Sequence, residues 1–433
     1  MFRSILILLM GSGVAQLGPL LMAPLLSRLF APEVFGLFHL ATAVATNLAV
    51  VACARYEFAL PMARDALERQ RLHRLSLRVL MGVVVLCAVG SAIAAGMMEA
   101  PWPLAVPPTV AALGYLSLWT LRATAAQAVR ALAWARVLQF WGCGLLQAAL
   151  GALQAGLWGL LAGPVVAAAA AAWGLRMAVL RGMRSAVAAT APGSTPVTGQ
   201  TTGQTTGQTP ALPSAPEPTL TDTARHFRDF PLLNTPHAFL GALQDTLSVA
   251  LIAAWVGPAA AGVWAVSLRL LKAPATLAGS AVSQVLYPRL GAHGAPTAQA
   301  VSDVRRVMAA LALAGGAWAM VLALWGPHLM PWLLGPGWED TGPLARALAL
   351  YIGVHLVASP LAVVTMAWNA QAWALRAALW GQGVFVASLG GALWAGASLA
   401  QAAQGLSWAM SAFFGWYFWR LARWPVTTKS GPA

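Results

Sequence analysis

LLMAPLLSRLFAPEVFGLFHLATAVATNLAVVACARYEFALPMARD, residues 20–65, contains the end of one apolar run, a polar turn from Ser27 to Glu33, and a second apolar run. The second run carries Arg55 and Glu57 before the chain turns basic. An Arg or Asp at the centre of a lipid-facing helix costs about 2.5–3.5 kcal/mol on insertion scales, so such groups face a cavity or a partner. The turn itself returns in the second half of the chain. Pro32 and Gly36 recur at one constant offset as Pro258 and Gly262, and LLSRLF before the first pair matches LIAAWV before the second column for column. Two turns at the same place in two apolar stretches predict tandem halves related as parallel repeats.

Of the 433 residues, 59% are hydrophobic and 9% charged, against roughly a quarter charged in a soluble domain. The apolar residues fall in runs of about 20, the length a helix needs to cross about 30 Å of hydrocarbon. Spans are predicted at 4–27, 35–59, 76–98, 103–122, 134–154, 157–180, 232–255, 262–286, 306–333, 343–368, 373–395 and 399–420. The expected fold is an all-α polytopic membrane protein of about twelve helices. The first run resembles a signal sequence but is too long and leads into further spans, so it is expected to be retained.

The net charge of +14 does not point to nucleic acid, because the bases are sorted by side. Connections after even-numbered spans hold Arg64, Arg69, Arg71, Arg74, Arg130, Arg181, Arg184, Arg225, Arg228, Arg289, Arg305, Arg306 and Arg376, and Arg420, Arg423 and Lys429 follow the last span. Connections after odd-numbered spans have Arg28 as their only base, beside Glu33, Glu99, Glu339 and Asp340. The positive-inside rule then places both termini in the cytoplasm. Residues 185–224, with TGQT three times in tandem from Thr198 to Thr209, read as a flexible cytoplasmic linker between an N-terminal six-helix bundle (1–184) and a C-terminal one (225–433). Cys53, Cys87 and Cys143 fall inside spans, and the seven histidines lack ligand spacing, so no disulfide framework, metal site or cofactor is expected. Many of the twenty tryptophans sit near span ends, as an aromatic belt would place them.

In the second half, Asp245 falls near mid-bilayer in its span, and Arg269 and Lys272 fall at similar depth in the next, antiparallel one. A structural ion pair would neutralise one base and leave a surplus positive charge. Arg28 near the outer surface, with Arg55 and Arg122 toward the cytoplasmic ends of their spans, extends this to a cationic path between the bundles. Each of the three could instead snorkel to an interface, and Arg55 could pair with Glu57.

At RLFAPEVFG, ARYEFALP, FRDFP, GVWAVSLRLLKAP, SQVLYPRL and LLGPGWEDTG, in that order, the sequence resembles the O-antigen and polysaccharide flippase family. That family belongs to the multidrug, oligosaccharidyl-lipid and polysaccharide exporter superfamily. The resemblance implies two six-helix bundles around a central cavity that opens alternately to either side. It implies, as substrate, an oligosaccharide linked through diphosphate to a polyprenol, moved outward across a bacterial inner membrane without enzymatic chemistry. Membrane lipids, a polysaccharide polymerase and its chain-length machinery are the implied partners. Arg28, Pro32 and Gly36 fall on the family's first-loop motif, Arg55 and Glu57 on its second-helix motif, and Arg269 on its eighth-helix motif; Lys272 and Asp245 come from the reading of charge alone. Guanidinium groups suit this substrate because they bind phosphate oxygens through paired, charge-assisted hydrogen bonds. A drug or cation exporter of the superfamily would present an acidic or apolar cavity, and a lipid II flippase commonly carries two further helices. A polymerase or ligase would need a larger outer loop than any here.

The sorting of bases makes a direct expectation. A cysteine introduced at Thr205 should react with membrane-impermeant reagents only from the cytoplasmic side, and labelling from outside would overturn the topology.

Overall fold

A computed structural model of the chain describes residues 2–190, 219–291, 296–368 and 370–426. Among the described residues the regular structure is entirely helical. The first half comprises α1 (Phe2–Leu29), α2 (Pro32–Val51), α3 (Ala66–Met98), α4 (Val106–Ala125), α5 (Val129–Ala152) and α6 (Gly156–Thr190). A short helix, α7 (Leu220–His226), precedes the second half: α8 (Thr235–Trp255), α9 (Pro258–Leu271), α10 (Ala273–Gly291), α11 (Ala298–Leu324), α12 (Gly326–Leu334), α13 (Thr341–Ala367), α14 (Gln371–Trp394) and α15 (Leu399–Ala422). With α9 running into α10 and α11 into α12, the chain makes twelve passes, as the hydropathy pattern predicts. Among the described residues, eight helices are long and apolar enough to cross a membrane on length and composition alone.

Helix starts follow the local chemistry. Pro32 and Pro258 each open a helix at the first position, where a missing N–H costs nothing. Asp65 caps α3 by accepting from the Glu68 N–H, and Ser398 and Gln401 form a reciprocal capping box on α15.

Three predicted boundaries are corrected. The span expected at 35–59 stops being α-helical at Val51. Ala54 and Arg55 turn left-handed (φ 48° and 61°), and Tyr56–Met62 continues as a 3-10 helix. Pro61 cannot donate the α-helical hydrogen bond to Glu57, and its ring crowds that carbonyl. Arg55 and Glu57 therefore do not sit on an α-helix. The span expected at 262–286 is broken at Lys272, because Pro274 leaves the Leu270 carbonyl without its helical donor. Trp318 Nε1 donates instead to the neighbouring Leu271 carbonyl, at 3.2 Å. Finally, α6 runs on to Thr190 and α7 begins at Leu220, so both edges of the expected 185–224 linker are helical. Its TGQT repeats lie outside the described residues.

In the first half α5 packs on α1 and α6, and α4 on α6; in the second, α13 packs on α10, α11 and α15. The halves meet where α2 lies against α8 and α9. The largest apolar core belongs to both: Phe35 and Phe38 of α2, Val263 and Trp264 of α9, Trp338 and Tyr351 are all buried in it. At its centre the two repeat turns touch each other. A Cβ on Gly36 would overlap the Pro258 carbonyl, and one on Gly262 would overlap the Pro32 carbonyl. Beside this contact Ser27 Oγ donates to the Leu334 carbonyl (2.6 Å) and Trp338 Nε1 donates to the Ser27 carbonyl (2.9 Å). Trp338 is fully buried and stands edge-on to Phe35 at 5.2 Å. These contacts fasten the halves together at the end opposite the termini.

Gly36→Val or Gly262→Val should force α2 and α9 apart, at about 1–3 kcal/mol for an overpacked contact. The expected outcome is a lower melting temperature and faster cysteine labelling at Ser27→Cys. Unchanged stability and labelling in both variants would remove this contact from its sealing role.

Candidate functional site

Between the halves, inward of that seal, lies a cavity of about 620 Å³ walled by α1, α2, α5, α8, α9 and the start of α10. Its α2 wall is a polar stripe: His39, Thr42 and Thr46, at the three- and four-residue spacings that share a face, with Asn47 next to Thr46. On α8, Thr246 Oγ1 donates to the Ala43 carbonyl (3.1 Å) and accepts from Asn47 Nδ2 (3.4 Å). The stripe is thereby tied across the interface.

The charged groups of the cavity are Asp245, Arg269 and Lys272. Asp245 and Arg269 lie midway along spanning segments, and both line the cavity. Lys272 stands at the break between α9 and α10, its Nζ 5.4 Å from the centre of the Tyr351 ring. The Asp245 charge acts on Lys272 and the Arg269 charge on His39 and Cys143. No carboxylate lies within ion-pair distance of Arg269 or Lys272 among the described residues. Two bases thus face one acid. Gln16 Oε1, Asn47 Oδ1 and Trp264 Nε1 are buried without a hydrogen-bond partner, and all three residues line the cavity. Such groups are costly unless something in the cavity completes them.

The other residues singled out by sequence lie elsewhere. Arg28 is exposed beside Gly335, at the sealed end. Arg55 stacks over Phe58 at 4.3 Å, near the buried Glu57. Arg122 lies over Trp119 at 5.6 Å in the last turn of α4. None of them lines the cavity, so the structure does not draw the six cationic and acidic candidates into one path. Pro32, Gly36, Pro258 and Gly262 form the seal. His39, Asn47 and Gln16 escaped the sequence reading, though the α2 stripe was visible as a period in polar residues. In the sealing loop, Glu339 Oε1 accepts from the Gly337 N–H (3.0 Å). The N–H groups of Glu339 itself and of Gly337 hold its carboxyl below the usual range.

Comparison with known proteins agrees with this architecture. Residues 209–343, which include Asp245, Arg269 and Lys272, match a family model described as polysaccharide biosynthesis protein. A structure of the lipid II flippase MurJ in an inward closed conformation superposes with a TM-score of 0.69 at 8% identity, over 98% of this chain and 90% of that one. The two chains share one fold. A MATE transporter from Vibrio cholerae aligns at a TM-score of 0.49 and 15% identity, over 98% of this chain and 95% of the other. A superfamily transporter from Pyrococcus furiosus aligns at 0.48 and 13%, over 97% and 95%. No curated protein matches the sequence significantly.

If Arg269 faces a wet cavity while its neighbour Leu270 packs in the core, cysteines at the two positions should differ sharply. Arg269→Cys should react with a small hydrophilic thiol reagent and Leu270→Cys should not; equal reactivity would place Arg269 elsewhere.

Proposed function

We propose that the protein is a flippase that moves a polyprenyl-diphosphate-linked oligosaccharide from the cytoplasmic to the outer leaflet of a bacterial inner membrane. The observation that carries this reading is the cavity between the halves, in which Arg269 and Lys272 outnumber Asp245. A diphosphate cannot cross hydrocarbon bare. A cavity with surplus guanidinium and ammonium charge replaces its hydration shell, while the unpartnered Gln16, Asn47 and Trp264 atoms offer hydrogen bonds to hydroxyl groups of the sugars. The prenyl chain stays in the bilayer and no bond is made or broken.

The seal at the Gly36–Gly262 contact closes the cavity on the side away from the termini, which in the proposed topology is the outside. Outward release then requires α2 and α9 to part, and rocking of one half against the other supplies this. With the cytoplasm negative, each uncompensated negative charge moving outward gains about 2.3 kcal/mol per 100 mV. Two charges on the diphosphate are enough to bias the direction, and Asp245 is the place where a coupling cation would bind. Lipid II presents the same diphosphate to the same cavity, and the fold likeness favours it as a second reading.

Flipping is measured in proteoliposomes with fluorescent lipid-linked glycan, with lipid II as competitor. Arg269→Ala should lower the rate by about tenfold or more, the loss of one charge-assisted pair or greater. Arg269→Lys should recover only part of it, since the bidentate fork is absent. Full activity in Arg269→Ala and Lys272→Ala would defeat the proposal, and stronger flipping of lipid II would shift it to the second reading. At matched pH and sodium, an inside-negative potential should accelerate outward flipping and Asp245→Asn should keep that response. Dependence on a proton or sodium gradient that Asp245→Asn abolishes would make the protein an ion-coupled antiporter instead.

A further inference from the structure

A second group of bases lies in the first half, outside the cavity. Arg69 and His73 stand one turn apart near the start of α3, Arg122 lies in the last turn of α4, and Arg176 is about 20 residues into α6, or about 30 Å along it. Because α3 begins, α4 ends and α6 approaches its end on one side, all four come to the end of the bundle where the termini lie.

Two of them, His73 and Arg122, flank Trp119, which is 5% exposed. The His73 ring is 5.1 Å from the Trp119 ring, and Arg122 lies over that ring at 5.6 Å. The charges of Arg122 and Arg176 act on His73, and that of Arg69 on Arg122. No carboxylate within 4 Å answers them among the described residues. The carbonyl end of α4 complements Arg122, and Arg176 lies over the Trp173 ring at 5.5 Å, but neither contact supplies a negative charge. Arg69 Nε, His73 Nδ1 and Trp119 Nε1 are buried with no hydrogen-bond partner. Like charges gathered around unused donors are unfavourable unless an anion sits among them. The four bases are half-buried, so the group can be reached from the headgroup layer.

We propose that Arg69, His73, Arg122 and Arg176 bind a phosphate group at the terminal end of the first half, with Trp119 Nε1 as a further donor. The shared chemistry is a phosphate oxyanion, carried either by an anionic lipid headgroup or by a free phosphate. Because none of these residues lines the cavity, the site stands or falls separately from the transport reading.

The test uses the purified full chain. Native mass spectrometry counts phosphatidylglycerol molecules retained from nanodiscs of phosphatidylglycerol and phosphatidylcholine, and a melting curve follows added inorganic phosphate. Retention confined to phosphatidylglycerol identifies a lipid headgroup, whereas phosphate that raises the melting temperature and displaces the lipid identifies a site open to either source. In both cases Arg122→Gln with Arg176→Gln should weaken binding about tenfold or more, the loss of one charge-assisted hydrogen bond or greater. Arg71→Gln with Arg74→Gln, the same charge change made on α3 outside the group, should leave it intact, as should Arg269→Gln in the cavity. Should the first double variant fail to fold, Trp119→Phe removes the neutral donor alone and should still weaken binding. Equal binding by the wild type, either folded cluster variant and the Arg71, Arg74 control overturns the proposal, as does the absence of phosphate or phosphatidylglycerol binding by the wild type.

Discussion

A bilayer supplies no hydrogen bonds, so every peptide group inside it must find its partner within the protein. That constraint explains where this chain keeps its helices whole and where it breaks them. The break at Lys272 frees carbonyls in mid-membrane, and the structure tolerates it because Trp318 reaches over to Leu271 and because the break opens on the cavity. The interruption after Val51 lies instead at the terminal end, where the 3-10 turn can absorb it. The irregular backbone and the charged side chains therefore occur together, for one reason: both need a wall that is not lipid.

The cavity and the seal depend on each other in the same way. Small residues let α2 and α9 approach until carbonyl and glycine touch, and large ones, Phe35, Trp264 and Trp338, fill the rest of the shared core. Farther along the same pair of helices the contact surface becomes polar, with His39 and Asn47 on one side and Arg269 on the other. The helices thus diverge into water from an apolar hinge.

Much of this was legible in the residues. Apolar runs of spanning length gave twelve passes, and the recurrence of Pro32 and Gly36 as Pro258 and Gly262 marked the two halves before any contact was known. What the repeat could not say was that its two copies touch, since close approach is a property of packing and leaves no mark beyond the glycine itself. Asp245, Arg269 and Lys272 could be placed at one depth by counting residues along a helix. The same counting put Arg55 toward the terminal end but on an α-helix that had already ended, and it could not tell Arg122, facing Trp119, from a residue facing the cavity. Depth follows from sequence position; the direction in which a side chain points around the bundle depends on neighbours that hydropathy does not encode.

The contact of Pro32 and Gly36 with Pro258 and Gly262 is isologous: each turn offers the other the surface that it receives. A self-complementary patch of this kind needs only one design, used twice. A half-length ancestor bearing a single Pro-xxx-Gly turn could have closed the same seal as a homodimer. In this chain the second turn is followed by the mid-membrane break and its bases, and the first by an unbroken helix through the same depth. The asymmetry gives the cavity a direction that a symmetric pair would lack.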